Sequence, residues 1–139
     1  MTVGKSTRYA LHAVMTLARA GPGGQVTSSE IAERYGIPTA VMAKVFQQLV
    51  RRGFAVGTRG ARGGYRLARE ASSITLLEVL DAFEPAQAPG SLGHDADSRL
   101  RRVFDEVDEL VRCTFASIAL DTLVGPGRAV GGGLRRLGA

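Results

Sequence analysis

The sequence predicts a mainly α-helical chain with a single small β-hairpin, and three observations carry that expectation. Apolar residues recur at steps of three and four over most of the chain. Two Thr-x-x-Glu sequences, Thr27 to Glu30 and Thr75 to Glu78, mark helix starts, because the Glu can reach back to the amide of its capping Thr. Only around the Arg/Gly-rich stretch Arg59 to Leu67 do two strand-length runs, Ala55 to Thr58 and Tyr65 to Ala68, face each other across a tip that can turn. With 139 residues there is room for one compact core and one further helix, not for a second full domain.

From Ser6 to Ala20, residues Ala10, Leu11, Val14, Leu17 and Ala18 keep helical spacing until Gly21-Pro22-Gly23-Gly24 stops the pattern. A short second helix follows the Thr27 cap and carries Ile31, Ala32 and Tyr35. Gly36-Ile37-Pro38 ends it, since Gly suits the left-handed residue after a helix and Pro the start of the next. Between Thr39 and Arg52 the apolar set Met42, Val45, Phe46, Leu49 and Val50 falls on one side at 100° per residue. The other side carries Ala40, Ala43, Lys44, Gln47 and Arg51. Its N-terminal half is small and weakly polar, which fits close approach to another surface; an ordinary surface helix using alanine for propensity has the same composition.

Helix, tight corner, helix and basic hairpin together make a winged helix-turn-helix. In the tip, Gly60, Gly63 and Gly64 can take φ > 0 without a Cβ penalty, and Arg59, Arg62 and Arg66 offer forked donors suited to phosphate or base-edge oxygens. The Thr75 cap opens a fourth helix with Leu76, Leu77, Val79, Leu80 and Phe83, ended by Pro85, which closes the core of a domain spanning 1–84.

Residues 85–98 are rich in Pro, Ala, Gly and Asp without periodicity and read as a linker. Over 99–124 the residues Leu100, Val103, Val107, Leu110, Thr114 and Phe115 run at steps of three and four, with Phe104, Val111 and Ile118 widening the stripe. A helix of about 25 residues is more than a small domain covers alone, so a second copy of the chain is the expected partner of Leu100, Val103, Val107, Leu110, Val111, Phe115 and Ile118. The alternative is that the helix folds back on its own winged domain. The tail 125–139 has six glycines and three arginines and reads as a flexible basic end.

Charge is divided along the chain. Residues 1–70 hold 11 Lys and Arg against 3 Asp and Glu, whereas residues 71–124 hold 4 against 10. A basic front half calls for a polyanion, and double-stranded DNA is the leading candidate. The single cysteine, Cys113, excludes an intrachain disulfide and a thiolate-held zinc site, which favours a reducing, cytoplasmic setting. No window approaches the ~20 apolar residues of a membrane span.

Taken together, Ser6-Thr7-Arg8-Tyr9-Ala10, Ser29-Glu30-Ile31-Ala32, Gly36-Ile37-Pro38, the wing from Arg59-Gly60 to Gly63-Gly64-Tyr65-Arg66-Leu67, and Ile74-Thr75-Leu76 resemble the Rrf-two-type (Rrf2) bacterial transcriptional regulators. These include the iron-sulfur cluster assembly repressor and the nitric-oxide-sensing repressor. The resemblance covers residues 6–84 closely and the long helix loosely. It implies a homodimeric repressor on a roughly palindromic operator, with one recognition helix per half-site in the major groove and a wing arginine, here Arg59, in or beside the minor groove. The candidate DNA contacts are Ser29, Thr39, Ala40, Ala43, Lys44, Gln47, Arg51, Arg59, Arg62 and Tyr65, with Thr39, Lys44 and Gln47 favoured for bases. Relatives often have Glu or Gln in the middle of this helix where the chain has Ala43-Lys44, so their operators do not transfer.

Many relatives carry three cysteines between the fourth helix and the dimer helix to bind an iron-sulfur cluster. This chain has none there, and it places Arg8 where the nitric-oxide sensors have an acidic ligand. A family-type cluster is therefore not expected: His94-Asp95 with Asp97 is a possible fragment of a metal or ligand site but reads more simply as a solvated loop, and His12 reads as a helix-surface or packing residue rather than a ligand. Cys113 is a candidate redox thiol or a small hydrophobe beside the apolar stripe. No nucleophile with its base and no nucleotide loop occurs, which excludes an enzyme reading. The competing function is a protein-interaction module acting through the acidic dimer helix, with DNA contact secondary.

Overall fold

The computed structural model describes residues 3–60, 63–84 and 97–125. The elements run α1 (Lys5–Ala20), α2 (Ser28–Tyr35), α3 (Thr39–Arg51), β1 (Ala55–Thr58), β2 (Gly64–Leu67), a 3-10 turn (Ala71–Ser73), α4 (Leu76–Phe83), α5 (Ser98–Ala116) and α6 (Leu120–Val124). The expected class, mainly α with one hairpin, holds. Both capping boxes form: the Glu30 amide donates to Thr27 Oγ1 at 3.1 Å while the Thr27 amide donates to Glu30 Oε2, and Thr75 and Glu78 exchange the equivalent pair. Gly36 takes the left-handed conformation, φ 64°, that turns α2 into α3.

Phe46, Met42 and Leu49 of α3 meet Val14 and Leu17 of α1, Ile31 of α2 and Val79 of α4 in one buried cluster. Glu84, just past α4, supplies the cap that Gly4 lacks at the start of α1, accepting the Gly4 amide at 2.7 Å. β1 and β2 pair antiparallel from Ala55 opposite Leu67 to Thr58 opposite Gly64. On the outer side of β2, Val26 and Tyr65 exchange both backbone hydrogen bonds, at 2.8 and 3.0 Å, which ties the hairpin to the segment between α1 and α2. The second strand thus begins one residue earlier than its composition indicates, because Gly64 is the partner of Thr58.

Two expectations are corrected. Val50, placed on the core side by its spacing, is 41% exposed: it lies at the edge of the buried arc of α3, toward the hairpin. The long C-terminal helix does not run to residue 124. It stops at Ala116; Ser117 turns, Ala119 forms a bridge with Thr75, and α6 packs against α1. The Leu76 amide donates to the Ile118 carbonyl at 2.8 Å and the Leu120 amide to the Ile74 carbonyl at 2.9 Å. These backbone bonds, together with full burial of Leu120 and burial of Val124, outweigh continuation of the helix. The core of the winged domain is therefore not closed at residue 84; residues 118–124 complete it. Of the stretches read as linker, 85–98, and tail, 125–139, residues 85–96 and 126–139 lie outside the described residues, whereas Asp97 caps α5 and Ser98 begins it.

Candidate nucleic-acid interface

The interface is built on α3 and the hairpin. Burial of Met42, Val45, Phe46 and Leu49 fixes the rotation of α3, and that rotation leaves Thr39, Ala40, Lys44, Gln47 and Arg51 exposed along the opposite face, with Ala43 half-buried beside them. Thr39 and Ala40 occupy the first turn, where the chain emerges from the Gly36 corner; Ser29 is exposed in the first turn of α2.

The hairpin stands next to the C-terminal half of this face. Gln47, Val50 and Arg51 form one wall of a groove of about 550 Å³, and Gly57, Thr58, Arg59, Gly64 and Tyr65 form the other. Among the described residues two guanidiniums and no carboxylate line it, a balance suited to a phosphate backbone. Arg59 is exposed at the end of β1, just before Gly60, φ 120°, where the chain turns back. The Gly63 amide closes that turn on the Gly60 carbonyl at 2.8 Å; a Cβ at Gly63 would stand 2.5 Å from the Thr58 carbonyl oxygen, which is why the tip needs glycine there. Arg62 lies outside the described residues.

Tyr65 has a packing role beside its place in the groove wall. Its ring is half-buried and stacks on Phe46, centroids 4.3 Å apart, so it lines the inner wall of the groove while holding the hairpin against α3. Gln25 and Thr58 were not legible as site residues: the Gln25 amide nitrogen donates to Thr58 Oγ1 at 3.3 Å and props the wing from outside. Only the pairing of Val26 with Tyr65 brings them together, and nothing local in the sequence signals it.

On α5 the stripe Leu100, Val103, Phe104, Val107 and Leu110 lies open, Leu110 at 67%, whereas Val111, Phe115 and Ile118 are half-buried. Cys113 is exposed on the same helix, and its thiol donates to Glu109 Oε1 at 3.5 Å. That carboxylate, with a smaller share from desolvation, pushes the thiol's pKa up. No helix among the described residues is long and apolar enough to cross a membrane.

A helix-turn-helix whose second helix faces outward beside a basic two-stranded wing defines the winged helix-turn-helix class of DNA-binding regulators. The comparisons agree. The Rrf2 family model, described as an iron-dependent transcriptional regulator, matches residues 3–126, and the chain belongs to that family. It is 35% identical over 128 residues to an HTH-type transcriptional regulator of Rhodopseudomonas palustris, BadM, covering 89% of this chain and 81% of that one. Among solved structures it resembles the IscR of T. potens, with 26% identity, a TM-score of 0.76 and 89% and 86% of the two chains covered. It shares the fold of CymR, described as the global cysteine regulator of B. subtilis, with 23% identity, a TM-score of 0.81 and coverage of 88% and 95%. The family and these relatives are transcriptional regulators, not enzymes.

Proposed function

We propose that the chain acts as a homodimeric, sequence-specific repressor that occupies a roughly palindromic operator through α3 and the wing, with α5 as the dimer helix. The observation that carries this reading is the groove between Arg51 and Arg59, lined by two arginines and no carboxylate among the described residues and adjoining the exposed face of α3. Thr39, Lys44 and Gln47 read bases, and Arg51, Arg59 and Arg62 hold backbone or minor groove. The open stripe from Leu100 to Leu110 supports self-association, because an apolar face of that kind on an isolated helix is covered by a partner in solution.

The residue chemistry favours a signal other than a cysteine-held cluster: such clusters need three or four protein ligands, mostly thiolates, and the sequence has one thiol. The iron in the family's description thus has no matching thiolate set here. Arg8 is exposed on α1 and is a cation, unable to ligate iron.

Gel shifts with the chain's own upstream DNA and with random duplex, run beside sedimentation, test the reading. A dimer that prefers the upstream fragment and loses affinity steeply with salt supports it. A second reading rests on Asp105, Glu106, Asp108 and Glu109 flanking the stripe: equal affinity for both DNAs, with one stoichiometric protein captured on the α5 face, would replace the repressor by a protein-interaction module.

A further inference from the structure

α5 meets the DNA-reading domain at its C-terminal end, where it packs on α4 and runs on into α6. There the Thr75–Ala119 bridge and the buried Leu120 fix the chain to the core, while the helix projects away toward Ser98 with its stripe exposed. Beside that anchor, where Val111 and Phe115 are half-buried, a forked side-chain contact joins the two helices. Arg112 reaches from α5 to Asp81 of α4 with two parallel hydrogen bonds, Nη1 to Oδ1 and Nη2 to Oδ2, both 3.1 Å. This forked arrangement restrains angle as well as distance.

α4 is itself tied to the wing. Glu78, three residues before Asp81, accepts from Arg69 at 3.1 Å, and Arg69 follows β2, lies over the Phe54 ring and donates to the Ser73 carbonyl. One face of α4 thus carries two carboxylates, each holding an arginine from a different body: the wing on one side and the dimer helix on the other. Arg112 lies about 140° round α5 from Val107, so the strut and the apolar stripe use different faces of the helix.

We propose that Arg112 and Asp81 are positioning residues that set the angle between α5 and the DNA-reading domain, and hence the separation of half-sites the dimer accepts. The inference rests on the dimeric operator reading above. In a two-fold dimer joined through α5, any change in tilt at this joint moves both recognition helices, and half-site separation follows from their distance.

The test uses full-length protein and a duplex bearing the two half-sites recovered by the wild type, in versions whose central spacer is lengthened or shortened by single base pairs. Wild type is expected to favour one spacer sharply. Arg112→Ala and Asp81→Ala are expected to lower that preference by about fivefold, the scale of an exposed ion pair, while remaining dimers by sedimentation. The double exchange Asp81→Arg with Arg112→Asp is expected to restore it. Single variants that keep the full spacer preference, or that lose affinity equally at every spacer, overturn the strut alone. A wild type that sediments as a monomer, or binds all spacers equally, overturns the operator reading and the strut with it.

Discussion

The rings of Phe46 and Tyr65 stack with centroids 4.3 Å apart and 26° between their planes, one from the recognition helix and the other from the wing. Phe46 is fully buried, so the wing's orientation is referred to the domain core. Tyr65→Ala is expected to cost ~2 to 4 kcal/mol of stability in urea unfolding, as for loss of a large, partly buried ring. Tyr65→Phe, which keeps the stack, should stay within about 1 kcal/mol. A Tyr65→Ala protein as stable as wild type would show the stack to be incidental.

Arg59 stands at the end of β1 on the wing wall of the groove, opposite Arg51. Arg59→Ala should weaken operator binding by ~1 to 3 kcal/mol without changing the unfolding midpoint. Gel shifts across a salt series check it; an unaltered dissociation constant removes the wing from the interface.

Val107 is half-exposed at the middle of the α5 stripe and belongs to no part of the monomer's buried core. Val107→Asp is therefore expected to convert the dimer to monomer at micromolar concentration while leaving the winged domain folded. Sedimentation and circular dichroism separate the outcomes, and a dimer that survives the substitution places the interface elsewhere.

Glu78 holds the Thr75 amide and the Arg69 guanidinium, and these, the amide first, lower its pKa below the ordinary glutamate value against a smaller opposing effect of desolvation. A carboxylate with a lowered folded value stabilises at pH above its unfolded value, and that contribution is lost as pH falls through the folded one. Glu78→Gln should thus be destabilising at neutral pH and nearly silent in strong acid. Unfolding midpoints of both proteins over an acid series test this; parallel curves would contradict it.

Glu109 disfavours the Cys113 thiolate. Alkylation of native protein near neutral pH should be slower than that of a free thiol, and Glu109→Gln should accelerate it. If the wild-type thiol reacts faster than free cysteine, the site is an activated one and a redox role returns.

Much of this molecule could be read from local chemistry. Thr27 and Thr75 announce their helices because a capping box needs only four consecutive residues, and Gly36-Ile37-Pro38 defines the corner for the same reason. The exposed face of α3 follows from a period. What escaped depends on contacts distant in sequence: Val26 pairing with Tyr65, Gln25 reaching Thr58, and Ala119 meeting Thr75. The apolar period of 99–124 passes through Ser117 without interruption, since Ile118 and Leu123 fit the same stripe whether the helix continues or breaks. Only the backbone bonds to Ile74 and Leu76 decide it.

The closing of the core by Leu120 and Val124 has a consequence for how the protein comes into being. A ribosome that has released residues 1–84 has delivered every candidate DNA-contacting side chain, yet the domain presenting them still lacks its last packing layer. Residues 118–124 arrive after the whole of α5, so a nascent or truncated chain cannot complete the core of the winged domain without also carrying that helix.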